Sequence, residues 1–532
     1  MKKRTLAALL GTLTALSSVA PTMAQAAENT EEYTVTFCRT QDSTMESDIF
    51  SILKDESYED NRWTRLIADR LGINVKYLWI APNEEQQTQK FNAAVAAGTI
   101  PDIVCVDKLT LKNLVEADLV VDMGSYFEEY ASDLLKSMIE SAGEQCVQAC
   151  TFDGVQYGIP YVDCDIETAQ MLWLRQDWMD ELGLEAPKTI DDLKGIMDAF
   201  MEKVGDGAVG MALCNDLYGN LMDIKGFANA YGAYPRYWVQ QDDGTLVYGS
   251  TTPEMKQTLE ALADLYQNGY LDEEFHVNDG TKAAEDLVND KCGVLYGWHA
   301  TALWPLQDNL NQNPDADWRP YQIVTSEESA EVTPGINMMT SSWYAVSSEC
   351  EHPEALVELL NLYCEKVFDP ELNEYSYYAN PGDGLEGVWR LSPVSLNSPD
   401  KNQQTAKAIA EPLKTGDPGD LYGEQLSMYE YSKAAQDGDT TLWGWNRGSQ
   451  MLLIDYENDE NVKLVRDQFY GVATETMSMR KTTLDTVLDE AFIKIITGQT
   501  TADEFDTVVE SWYSAGGQDM TDEVNEWYQA QQ

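Results

Sequence analysis

The chain is 532 residues long and carries 91 Asp and Glu against 35 Lys and Arg, a net charge of −56. That charge repels nucleic acid and anionic membrane surfaces, so neither is expected as a partner, and neutral or cationic solutes become easier ligands than polyanions. A chain of this length holds two or three domains whose cores need no disulfide or metal staple.

The first residues read as a targeting segment. Lys2-Lys3-Arg4 is a charged start, Thr5 to Val19 a mostly apolar run, and Met23-Ala-Gln-Ala26 an Ala-x-Ala cleavage pattern. A signal peptide is therefore expected over residues 1–26. Its removal takes away three basic residues and moves the net charge from −56 to −59. The apolar run is too short to span a membrane. A lipoprotein signal would place a cysteine directly after it, whereas Cys38 lies well beyond. The chain thus reads as exported, to the periplasm or the outer face of the envelope, with no lipid anchor. Its nine cysteines are odd in number and irregularly spaced, which suits buried, reduced thiols. Cys146 and Cys150, one helical turn apart, fit either a metal pair or a helix face.

Tyr33-Thr-Val-Thr-Phe37 alternates as a first strand should, with Arg39 and Gln41 in the polar loop at its carboxyl end, where open α/β sheets place ligands. Trp63, Leu66, Ile67 and Leu71 mark a helix face stopped by Gly72, followed by a strand from Asn74 to Ile80. Phe91, Ala94 and Val95 mark a second helix ending at Gly98, and the strand from Ile100 ends with Asp107 at its exit. This alternation predicts a parallel-rich α/β lobe. Tyr157 to Trp178 then reads as a crossing into a second lobe. Gly158 and Pro160 bound an extended start, and Met171 to Leu174 is an apolar run of strand length. Tyr161, Asp163 and Asp165 would then lie at the seam, a favoured place for small-molecule sites. Further on, Met255, Leu259, Leu262 and Tyr266 form an amphipathic helix, and the run from Lys291 puts Trp298 and His299 at a strand exit. Residues 372–441 are rich in Gly, Pro, Asn and Tyr and read as a loop-rich insertion rimming a groove.

Few residues suggest chemistry. His276, His299 and His352 share no metal spacing, and no His-Glu-x-x-His, Gly-x-Ser-x-Gly or phosphate-binding loop occurs. Gly205 to Gly210 matches Gly-x-Gly-x-x-Gly by letter but follows a helix instead of joining a strand to one. No catalytic residue, metal or cofactor is expected. Aromatic residues do stand beside polar ones at the lobe edges: Trp298 with His299, Tyr231 with Tyr234, and Trp443-Gly-Trp445-Asn-Arg447, where Gly444 reads as an exposed loop. Aromatic faces suit the C–H faces of sugar rings, and Asp, Asn and Arg suit the hydroxyls. The ligand candidates are therefore Arg39, Gln41, Asp107, Tyr161, Asp163, Tyr231, Tyr234, Trp298, His299, Trp443, Trp445 and Arg447.

Phe91 to Met123, with Gly-x-x-Pro-Asp at Gly98 to Asp102, resembles the family 1 extracellular solute-binding proteins. So do Gly158-Ile-Pro-Tyr161, Leu172 to Leu193, Gly244 to Gly249, Leu265 to Phe275, and the tail from Leu484 through Trp512 to Tyr528. The ordered set most resembles the branch that includes alginate-oligosaccharide-binding components of ABC importers. The resemblance implies a two-lobed α/β fold of the type II periplasmic-binding-protein kind, with a ligand cleft between lobes joined by crossing strands. It divides the chain into a first lobe, 33–162 plus about 318–366, and a second, 163–317 plus about 369–532. It also implies a non-enzymatic monomer that binds an oligosaccharide and meets the transmembrane subunits of an ABC permease. One feature departs from the branch: where relatives carry an acidic calcium loop, Glu202 to Gly210 offers too few oxygen ligands. An exported polysaccharide-degrading enzyme and a peptide-binding or adhesive surface protein remain as rival readings.

Overall fold

The computed structural model describes residues 32–531 apart from 165, 329, 338, 339, 383, 384, 453–455, 457 and 458. The expected signal peptide and Asp165 therefore lie outside the described residues. The first lobe opens with β1 (Tyr33–Thr40), α1 (Arg62–Leu71), β2 (Ile73–Ala81), α2 (Glu84–Ala97), β3 (Ile103–Asp107), α3 (Lys108–Glu116) and β4 (Ile159–Pro160). The second contributes β5 (Met171–Arg175), α4 (Pro253–Gln267), β6 (Val294–Gly297) and β7 (Trp318–Tyr321). The chain returns with β8 (Ser342–Val346) and α5 (Ala355–Phe368), then adds α6 (Lys401–Thr415), α7 (Gly423–Gln436), α8 (Trp443–Leu452) and α9 (Glu475–Ile496).

Local chemistry explains the element ends. Asn61 caps α1 by accepting from the Trp63 and Thr64 amides, while the Thr64 hydroxyl accepts from the Asn61 amide. Gly72 closes the helix at φ +70, a conformation glycine takes without steric cost. β1 and β2 pair in parallel, as the alternation of strand and helix predicts. β3 and β4, however, both pair antiparallel with β8, a strand the sequence supplies some 180 residues after β4. Thr36 ties β1 to this second sheet by donating from its amide and hydroxyl to Asp102 Oδ2, at 2.8 and 2.6 Å.

The crossing is plain in the structure: β4 belongs to the first lobe and β5, eleven residues on, lies in the middle of the sheet β6-β5-β7 in the second. All five residues of β5 are buried. Its period-2 geometry sends Leu172 and Leu174 into one apolar cluster and Met171 and Trp173 into another, which is why the run shows no polar alternation. Arg175 ends the strand with its guanidinium buried between Asp177 and Asp290 and 4.3 Å from the Trp178 ring, a structural role.

Two placements correct the expected partition. Trp318 was expected to begin the return to the first lobe, but β7 pairs with β5, Trp318 opposite Arg175. Its indole N–H donates to Asn309 Oδ1 at 2.8 Å, which anchors it in the second lobe. Conversely, Tyr375, Tyr378, Val388, Leu391, Val394 and Leu396 belong to the first lobe's core although the second lobe was expected from about 369. The lobes also touch away from the crossings. Phe469 packs on the second core, while its neighbour Tyr470 packs on the first lobe and donates from its hydroxyl to Gln148 Oε1 at 2.8 Å.

Candidate ligand-binding site

Two connecting segments run side by side where the lobes meet. The Asn397 amide donates to Val162 O at 2.8 Å, the Asn397 side chain donates to Asp163 Oδ1 at 3.0 Å, and the Cys164 thiol approaches Ser398 O at 3.6 Å. Each end of this paired stretch carries a hollow.

The first hollow, about 360 Å³, is walled by the exit of β1, the residue after β4, and the segment 389–395. Arg39, Gln41 and Tyr161 meet there, joined by Asp42, Trp389 and Arg390. The Arg39 guanidinium lies 4.9 Å from the Tyr58 ring and donates to Arg390 O at 3.2 Å. Arg390 in turn pairs with Asp42 at 3.2 Å and lies 4.6 Å from the Trp389 ring. Tyr161 stands edge-on to Tyr344 at 6.0 Å. Burial, followed by the nearby Asp163 carboxylate, pushes its hydroxyl pKa up, so Tyr161 stays a neutral donor and acceptor.

The second hollow, about 260 Å³, is built from helices: α6, α7, α8 and the single turn after β6. His299 and Trp445 meet there with Lys401, Asn402, Glu424 and Met428. Lys401 Nζ lies 2.8 Å from Glu424 Oε2. Burial opposes the lysine charge, but the Glu424 carboxylate together with Cys164 and Tyr375 holds the pKa above the ordinary value. Behind this pair, Glu167 is buried, accepts from the Asn402 amide group, and lies 3.1 Å from His299 Nδ1. Burial lowers the His299 pKa more than Glu167 raises it, so the ring is neutral at pH 7. Trp445 is half-buried, 5.9 Å from the Tyr431 ring, and lines the hollow.

The remaining candidates lie elsewhere. Asp107 caps α3, accepting from the Thr110 amide and hydroxyl. Asp163 is taken up by the paired connectors. Tyr231 packs on the second core 5.7 Å from Phe227. Tyr234 stacks on Tyr237 at 6.4 Å and donates to Thr333 O, in a crevice of about 10 Å³. Trp298 stands edge-on to His299 at 5.2 Å, beside the second hollow. Trp443 is a core residue, and Arg447 pairs with Asp317. The expected exposed loop at Gly444 is instead the first turn of α8. A side chain there would meet Ala302 O at 2.7 Å, so glycine serves a close helix approach and not a turn. The expected loop-rich insertion at 372–441 likewise contains α6 and α7, which supply Lys401, Asn402 and Glu424. The stretch from Glu202 is the end of the helix Ile190–Val204 and a turn with Gly205 and Gly207 at φ +81. Among the described residues, no group of three or more His, Cys, Asp or Glu is placed to hold a metal ion.

Residues 57–364 match the family of bacterial extracellular solute-binding proteins. The chain belongs to that family. This solute-binding protein is 23% identical to the polygalacturonan/rhamnogalacturonan-binding protein YtcQ of Bacillus subtilis (strain 168), over 91% of each chain. It is 24% identical to lipoprotein LipO of the same strain, over 86% of this chain and 87% of the relative. Among solved structures, it is similar to an HMO-binding, ABC-transporter-associated solute-binding protein from Bifidobacterium longum infantis, at 16% identity, 93% and 98% coverage and a TM-score of 0.63. It is also similar to the S. pneumoniae substrate-binding protein FusA, an EF-hand mutant in complex with fructo-nystose, at 15% identity, 94% and 100% coverage and a TM-score of 0.57. These solute-binding proteins share its two-lobed α/β architecture. No helix among the described residues is long and apolar enough to cross a membrane.

Proposed function

We propose that this protein captures an oligosaccharide between its lobes and presents it, uncleaved, to an ABC-type membrane importer. The observation that carries this reading is the pair of aromatic and polar hollows at the two ends of the 161–167 and 395–402 connectors. Trp389 and Trp445 supply faces for sugar rings, while Gln41, Asn402 and Glu424 supply donors and acceptors for hydroxyls. A ligand that bridges both hollows favours the closed arrangement, because only then are all contacts made. The ligands for which these relatives are named or with which they are complexed, polygalacturonan, rhamnogalacturonan and fructo-nystose, are all carbohydrates, which supports the same class here. The protein acts as an exported monomer, needs no cofactor and performs no covalent step. Calorimetric titration with a panel of oligosaccharides, followed by chromatography of the recovered ligand, tests this. Binding of at least one oligosaccharide with the sugar returned intact is the expected result. Silence with every sugar, or cleaved products in the eluate, would contradict it.

A further inference from the structure

The two hollows differ in their fixed charges. In the first, Arg390 is paired with Asp42 at 3.2 Å, and Arg39 is held by Tyr58 and the Arg390 carbonyl. In the second, Lys401 is paired with Glu424 at 2.8 Å, and the buried Glu167 adds a carboxylate whose imidazole neighbour is neutral. The wall of the second hollow thus carries one cation against one carboxylate, with the Glu167 carboxylate buried behind it. A uronate carboxylate entering it faces the Glu424 carboxylate, with Glu167 behind the wall, and one cation already satisfied, in a partly desolvated space where repulsion is felt more strongly than in water. A neutral sugar meets no such opposition. Its hydroxyls donate to Glu424, accept from Lys401 and Asn402, and leave a ring face for Trp445. At longer range the net charge of the whole chain also disfavours an anionic ligand.

Resting on the oligosaccharide reading above, we infer that the second hollow is a subsite for uncharged sugar residues that rejects uronates, with Glu424 as its specificity-determining group. This sets the protein apart from its relative named for polygalacturonan binding. The test titrates the full chain with neutral fructo-, xylo-, manno-, gluco- and galacto-oligosaccharides, and with oligogalacturonides as free acids and as methyl esters. The best neutral series binds at least about tenfold more tightly than any free acid, ~1.4 kcal/mol. Esterification, which replaces the carboxylate with a neutral methyl ester, strengthens oligogalacturonide binding. A free acid that binds as tightly as the best neutral sugar overturns the inference while leaving the oligosaccharide reading intact. Silence with all three sets overturns the reading itself. Glu424→Gln frees the Lys401 ammonium, so the preference for ester over acid shrinks about tenfold; an unchanged preference removes Glu424 from the role. The ester comparison on the unaltered protein needs no variant and stands even where Glu424→Gln fails to fold.

Discussion

The two hollows proposed to share one ligand are made from different material. The first stands on strand ends, with Arg39 near the end of β1, Gln41 just beyond it and Tyr161 after β4, so its side chains are aimed by a hydrogen-bonded frame. The second stands on helices packed through close contacts, such as Gly444 against Ala302 O. Shape at a strand exit is set by the sheet; shape between helices is set by side-chain volume and by where glycine lets them approach. The second hollow is therefore the more easily disturbed by substitutions in its own walls.

The two tryptophans of α8 give the sharpest contrast. Trp443 is 9% exposed and packs among Trp173, Leu306 and Trp318. Trp443→Ala is expected to destabilise the fold by ~3–5 kcal/mol, read as a lower Tm. Trp445, one residue beyond Gly444, faces the hollow instead. Trp445→Ala is expected to weaken oligosaccharide binding about 10- to 100-fold, ~1.4–2.8 kcal/mol, with a Tm close to that of the unaltered chain. If the two variants behaved alike, the division of α8 into a core face and a ligand face would fail.

A smaller effect follows from pH. Burial keeps His299 neutral, with its folded pKa below the ordinary 6.5. The unfolded chain then binds the proton first, so this group's stabilisation is complete above about pH 6.5 and is lost as pH falls toward the folded value. Asp467, pushed up to about 6 by burial, works in the opposite sense, its stabilisation being lost as pH rises from about 4 to 6. Only the difference between parent and variant isolates the imidazole: His299→Gln should show a smaller fall in Tm between pH 7 and pH 5. An unchanged fall would show that the histidine is not held neutral by the second hollow.

How much of this was legible in the sequence follows the same division. The crossing at Tyr157 to Trp178 could be read because turn residues and an unbroken apolar run are local signals, and β4 and β5 lie where those signals put them. That Arg39, Gln41 and Tyr161 come together at one hollow could be read because they lie at strand ends. Lys401, Asn402 and Glu424 could not, since nothing local distinguishes an Asn- and Glu-bearing helix lining a hollow from one facing water. The pairing of β7 with β5 and of β8 with β3 was hidden for a related reason. Each joins residues more than a hundred positions apart, and only the assembled sheet fixes which lobe Trp318 enters. Gly444 was misread because glycine marks both turns and close helix contacts, and composition cannot tell the two apart.

The central claim is that one ligand engages both hollows. It is tested most directly by titrating Tyr161→Ala, altered only in the first hollow, with the oligosaccharide whose binding Trp445→Ala weakens. The account predicts that Tyr161→Ala also binds this ligand about tenfold or more weakly, ~1.4 kcal/mol, at unchanged Tm. Parent-like affinity in Tyr161→Ala would contradict it and confine the ligand to the helical hollow alone.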